Sequence, residues 1–213
     1  MSHKLFRYGG FIAGLVLIAF GIGAIYMGVD GRSTVQESLA LEKITGSEDM
    51  TPEAVAAEVK EAGLPAGIAL PTCNVANQPI DDGSSARCFA SYIRIHALES
   101  SGGLTYSELP RFASEDGKGT SDAAAALKGP DGDPLGNPVR ETWITATSLS
   151  TALNVSYMAQ QLALFGIVVG VALLLSGIGF IVLTAGLIGS GLAHRAGADA
   201  QPAGKMTGAP AGA

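Results

Sequence analysis

The sequence predicts a mostly α-helical integral membrane protein, in which two transmembrane helices flank a small, disulfide-tied, mainly helical extracytoplasmic domain. Three observations predict it. Two long uncharged apolar runs stand near the ends of the 213-residue chain. The segment between them is acidic and carries both cysteines. Charged residues make up 15% of the chain and hydrophobic ones 47%, against about 25% charged in soluble domains, and the apolar residues are bunched rather than spread.

Residues 1–7 read as a cytoplasmic N-terminus with two cations, Lys4 and Arg7. Transmembrane helix 1 covers 8–29, an uncharged stretch of 22 residues between Arg7 and Asp30. At ~1.5 Å per residue it reaches roughly 33 Å, enough for a hydrocarbon core of about 30 Å. The run is longer than the ~7–15 apolar residues of a secretory leader and no small-residue cleavage site follows, so it reads as an uncleaved anchor.

Residues 30–112 form the expected extracytoplasmic helical domain. Up to Asp49 the chain reads as a short helix or a loop. "TPEAVAAEVKEAGL" then carries a full set of helix signals. Thr51 suits the N-cap, Pro52 the first helical position, Glu53 the first turn, and Gly63 a left-handed C-terminal close. "LPAGIALPTCNVANQPIDDG" is turn-rich, with a short strand expected at 67–70. "SSARCFASYIRIHALESSGG" reads as the core helix, capped by Ser84 or Ser85 and ended by Gly102 and Gly103. Cys73 and Cys88 pair in an oxidising compartment, and a loop of that size contributes roughly 3 kcal/mol.

Residues 113–138 are rich in Gly, Asp and Pro with almost no large apolar side chain. They cannot bury enough surface to offset their ordering entropy and read as a flexible loop. Asp131 and Asp133 in "DGDP" lack the remaining ligands of a calcium loop and read as a turn. A juxtamembrane helix is expected over 139–160, with Trp143, Ala146, Ser150, Leu153, Tyr157, Gln160 and Leu164 on one face. It continues into transmembrane helix 2 over 161–190. A disordered cytoplasmic tail, 191–213, completes the chain. Gln160 and Gln161 look unremarkable at the outer end of the second span.

Orientation follows from the flanks. Lys4 and Arg7 precede the first span, and Arg195 and Lys205 follow the second, whereas the connecting segment holds 18 acids against 9 bases. Positive flanks stay inside, which puts both termini in the cytoplasm and the central domain outside the plasma membrane.

The spans repeat one pattern. "GFIAGLVLIAFGIG" and "GIVVGVALLLSGIG" both read G-x-x-x-G-x-x-x-x-x-x-G-I-G. Neither is a dinucleotide loop, since Tyr26 and Val182 stand where the third glycine belongs and no strand-turn-helix surrounds them. At ~100° per residue Gly10, Gly14 and Gly21 form one smooth stripe, and Gly166, Gly170 and Gly177 repeat it. Small residues let helices approach closely in lipid, so these six are the expected packing positions. Because the copies run in opposite directions, they are not expected to meet as matched pairs, except around Gly21 and Gly177 if the spans are staggered. Each stripe is expected instead to receive large side chains from the other helix or a partner.

Chemistry is otherwise thin. Neither span holds an ionisable residue of the kind that marks ion or proton pathways. No phosphate-binding loop, zinc-protease motif or nucleophile elbow with credible partners occurs. His96 is a lone helical histidine and reads as a surface or hydrogen-bonded residue rather than a catalyst. It would point to an enzyme only if the fold brought it within hydrogen-bond reach of two carboxylates in a cleft. No catalytic, cofactor-binding or metal residue is assigned.

The stretches "LIAFGIGAIYMGVDGRSTV", "EDMTPE", "LPTCNVA", "ARCFASYIRIHALESSGGLTYSEL" and "STALNVSYMAQQLALFGIVVGVALLLSGIGF" resemble a family of actinobacterial two-transmembrane-helix proteins of unknown function. The resemblance covers most of the chain and supplies no catalytic residues. Similar chains are sometimes labelled "aromatic ring-opening dioxygenase LigA". A non-haem iron enzyme needs clustered His and carboxylate ligands, and this chain has three histidines, His3, His96 and His194, far apart in sequence. The expectation is therefore a non-enzymatic membrane protein of the envelope, an interaction or assembly module. Its partners would be the lipid bilayer and either a second copy or another membrane protein, with no nucleic acid and no cofactor. The alternatives are a membrane-anchored enzyme or a small accessory subunit of a transporter complex.

Overall fold

The computed structural model describes residues 2–199, and the side chains of residues 8–186. Four helices make up the fold: α1 (Ser2–Glu42), α2 (Pro52–Glu61), α3 (Gly83–Ser100) and α4 (Pro138–Asp199). Among the described residues there is no named strand, only isolated bridges. The chain divides into two compact units, one joining residues up to Met27 with those from Gly166 onward, the other formed by Gly28–Phe165. Both α1 and α4 pass from one unit into the other.

α1 does not stop near residue 29. It runs on unbroken to Glu42, where Lys43 turns left-handed at φ 52°. The polar stretch after Asp30 is rich in helix formers and holds no proline, and the Thr34 and Ser38 hydroxyls donate back to carbonyls one turn earlier. α4 likewise continues through the expected juxtamembrane and spanning segments without interruption. It reaches Asp199, past the expected boundary at 190, and the rest of the tail lies outside the described residues.

In the Gly28–Phe165 unit the short helices are set by their caps. Thr51 Oγ1 accepts from Ala54 N at 3.1 Å at the start of α2, with Pro52 at its first position. Its end is a Schellman close, with Leu64 N donating to Val59 O and Gly63 at φ 63°. The cap of α3 is Asp82, not Ser84 or Ser85. Asp82 Oδ1 accepts from Ser85 N at 2.7 Å and Ser85 Oγ accepts from Asp82 N at 3.1 Å, a reciprocal capping box. Gly102 and Gly103 close it, Gly103 N donating to Leu98 O. α4 opens on Asn137, whose Oδ1 accepts from Val139 N while its Nδ2 donates to Pro110 O.

The core of this unit gathers around Tyr92, Ile95, Ile80 and Val55, all fully buried. Leu39 of α1 and Trp143 and Leu153 of α4 pack into the same cluster. Trp143 Nε1 donates to Leu104 O at 3.0 Å, so the buried indole is satisfied. Cys73 and Cys88 are bonded, with Cα atoms 6.0 Å apart, and Tyr92 donates its hydroxyl to Cys73 O at 2.6 Å. The disulfide and this hydrogen bond fix the 70s loop to one face of α3. Burial, and then the negative charge of Glu53, push the Tyr92 hydroxyl above its usual pKa.

One expectation fails here. Residues 67–70 form no strand; Gly67 sits at φ 96°, which interrupts any extended run. Backbone pairs run through residues 113–138. Phe112 and Thr120 exchange both backbone hydrogen bonds, Ala113 N donates to Leu135 O, and Leu135 N donates to Leu127 O. These pairs are made by the main chain, which composition does not reveal.

Candidate functional site

Within the unit that joins the start of α1 to the later part of α4, the repeated glycines meet. A Cβ built on Gly14 would stand 2.8 Å from the Gly177 carbonyl oxygen and 2.8 Å from Ile181 Cγ1. One built on Gly21 would meet the Gly170 oxygen at 2.7 Å and Leu174 N at 2.8 Å. Seen from α4, Gly170 meets Gly21 and Ile25, and Gly177 meets Gly14 and Ile18. The expectation that matched pairs cannot form is thus overturned. A gap of seven residues is the same read in either direction, so Gly14 faces Gly177 while Gly21 faces Gly170. The outer members behave differently. Gly10 lies against the Thr184 methyl, and Gly166 has only the Ala24 oxygen at 3.7 Å. The last glycines of the two G-I-G triplets, Gly23 and Gly179, have nothing within 4 Å.

In the other unit, the loop before α2, α2 itself and α3 bring Asp49, Glu58 and His96 together. His96 Nε2 lies 3.8 Å from Asp49 Oδ2 and 3.6 Å from Glu58 Oε2. The Nε2 atom is shut off from solvent and makes no hydrogen bond. The donor atoms of the three side chains lie within 4.8 Å of one another, so together they could hold a metal ion. Glu99, one turn beyond His96 on α3, adds a further carboxylate. Its hydrogen bond to Glu58, then burial, then the charges of Glu99 and Asp49 hold the Glu58 carboxyl up at about 7, against an ordinary 4.5. This meeting was not read from the sequence, where 47 residues separate Asp49 from His96.

A second feature of this unit is a cleft of about 550 Å³ between α3 and the outer part of α4. Ser84, Arg87, Ser91 and Arg94 line it from α3, and Ser150, Asn154 and Tyr157 from α4. The α3 residues fall at steps of three, four and three, one face of a helix. Arg87 stacks its guanidinium on Tyr157, 4.7 Å from the ring centroid. Close seating of α3 on α4 depends on Gly83, where a Cβ would run into Tyr157 Cα and the Gln160 amide. Gln160 proves to have a part after all: it is buried, and its Oε1 accepts from Gly83 N at 2.6 Å, satisfying a free N–H in the first turn of α3.

Of the residues singled out from sequence, the cysteines are joined, and the inner four glycines form a seam with the outer two beside it. His96 faces two carboxylates at more than hydrogen-bond distance and does not line the α3–α4 cleft. His3 and His194 lie outside the residues whose side chains are described. No protein-family model, curated protein or solved structure matches the chain.

Proposed function

We propose that this chain is a non-enzymatic integral membrane protein of the cell envelope. α1 and α4 cross the plasma membrane, and the disulfide-tied unit stands on the extracytoplasmic side as an interaction or assembly module. The observation that carries this reading is the inverted distribution of side chains along the two apolar helices. Glycines occupy the seam where the helices touch, while Phe20, Met27, Leu175 and Leu183 are 63–74% exposed. Such a surface is unfavourable in water and fitting in hydrocarbon, where close backbone approach rather than apolar burial holds helices together. Only 17% and 11% of the most apolar windows of α1 and α4 are buried, unlike the core helices of a soluble protein.

The test is extraction of native membranes. The chain should stay in the pellet at alkaline pH in carbonate and leave it only in detergent. Cross-linking in the same membranes should then join it to a second copy or to another membrane protein. Release by carbonate would overturn the two-span reading; a wholly monomeric cross-linking pattern would overturn the assembly role.

A further inference from the structure

We propose that the cleft between α3 and α4 is a binding site for a phosphate group, carried by a lipid headgroup or free in solution. The first ground is charge. The segment between the spans holds 18 acids and 9 bases, yet the cleft is lined by two arginines and no carboxylate. The ion pairs found among the described residues both involve His96, so Arg87 and Arg94 have no carboxylate of a described residue within 4.0 Å. Two unneutralised guanidiniums on one helix face, ~10.5 Å apart along the axis, leave a concentrated positive field in an otherwise negative domain.

The second ground is the donor set. Ser84, Ser91, Thr72 and Asn154 surround the arginines with neutral hydrogen-bonding groups. Guanidinium forks and hydroxyls are the side chains that match phosphate oxygens. Stacking on Tyr157 restrains Arg87, so less rotamer freedom is lost when an anion arrives. The volume of about 550 Å³ suits a substituted phosphate rather than a bare ion.

The third ground is depth, and this part rests on the two-span reading. Tyr157 precedes Leu162, the start of the strongly apolar run, by five residues of one continuous helix. That is ~7.5 Å of rise, the thickness of a headgroup layer. On that reading, Tyr157 stands close to the headgroup phosphates of the outer leaflet.

The experiment uses the full chain in detergent and compares it with Arg87→Gln/Arg94→Gln. Both arginines are exposed, so the folded state should survive, and melting without ligand checks that it does. Each protein is titrated with phosphatidylglycerol and with phosphatidylcholine in mixed micelles, and separately with inorganic phosphate. Binding is read from the rise in melting temperature and from lipid retained in native mass spectrometry. Arg111→Gln serves as the control for loss of a surface charge elsewhere. The double variant should bind about a hundredfold more weakly, roughly tenfold for each charge-assisted hydrogen bond lost, while the control binds normally. Loss in the lipid arm identifies a headgroup site, and loss in the inorganic phosphate arm a site for a free anion. Equal binding by wild type and double variant in both arms would overturn the proposal. Carbonate extraction of the wild-type chain would sink the two-span reading alone, since the inorganic phosphate arm does not depend on it.

Discussion

Glu58 shows how three-dimensional proximity changes a single side chain. Its carboxyl shares a hydrogen bond with Glu99 and faces the charge of Asp49, and it is held up to about 7 from 4.5. The folded state therefore binds this proton more tightly than the unfolded chain does. The resulting stability is fully present below about 4.5 and is lost as pH rises through about 7. The melting temperature of wild type should accordingly fall between those values relative to Glu99→Gln, which keeps a hydrogen-bond partner but removes a negative charge. Parallel pH profiles for the two proteins would show that Glu99 does not control Glu58. None of this was legible in the sequence. Asp49, Glu58 and Glu99 belong to a loop and two helices, and only the docking of α2 on α3 joins them. Arg87 and Arg94 were nearer to legible, since their spacing already places them on one face of a helix; what sequence could not supply was the opposing face of α4.

At the scale of elements, local chemistry was read most faithfully. Thr51, Pro52 and Gly63 bound α2 as their types require, and Gly102 and Gly103 end α3. Asp82 rather than Ser84 or Ser85 caps α3, because Asp82 and Ser85 have the three-residue spacing of a reciprocal cap. Of the six stripe glycines, Gly14, Gly21, Gly170 and Gly177 meet as matched pairs, because a seven-residue gap reads the same in both directions along an antiparallel pair. Seven residues is also the period of left-handed helix pairing, in which every seventh residue returns to the partner. The seam makes a sharp contrast between its own glycines and the last glycine of each G-I-G triplet. Gly14→Ile or Gly170→Ile would drive a side chain into backbone across the interface, and should destabilise the helix pair by about 1–3 kcal/mol or more. Gly23→Ala and Gly179→Ala enter open space, and removing a helical glycine should leave stability unchanged or raise it by up to ~1 kcal/mol. Cross-linking between cysteines placed on α1 and α4 reads the difference. Equal efficiency in all four variants would show that the seam does not depend on its glycines.

For the molecule as a whole, the proposed two-span topology puts both termini on one side, and the charge asymmetry of the flanks argues for the cytoplasm. The disulfide supplies an independent marker, because Cys73 and Cys88 pair stably only in an oxidising compartment. A membrane-impermeant maleimide applied to intact cells should label neither cysteine before reduction and both after it. Cysteines introduced as Ser2→Cys or Thr207→Cys should stay unlabelled until the membrane is opened. Labelling of the termini in intact cells would invert the topology and remove the proposed outer-leaflet position of the arginine-lined cleft. Reduction should also lower the stability of the disulfide-tied unit by roughly 3 kcal/mol, the loop-closure contribution of a bridge of this span. The loss should concentrate at α3, since the same bridge that marks the compartment also holds the 70s loop, and with it Thr72 of the cleft, against that helix. Hydrogen exchange that quickens in α3 on reduction, while the apolar runs of α1 and α4 stay protected, would show that the two units are stabilised separately: one by its covalent tie, the other by lipid and its glycine seam.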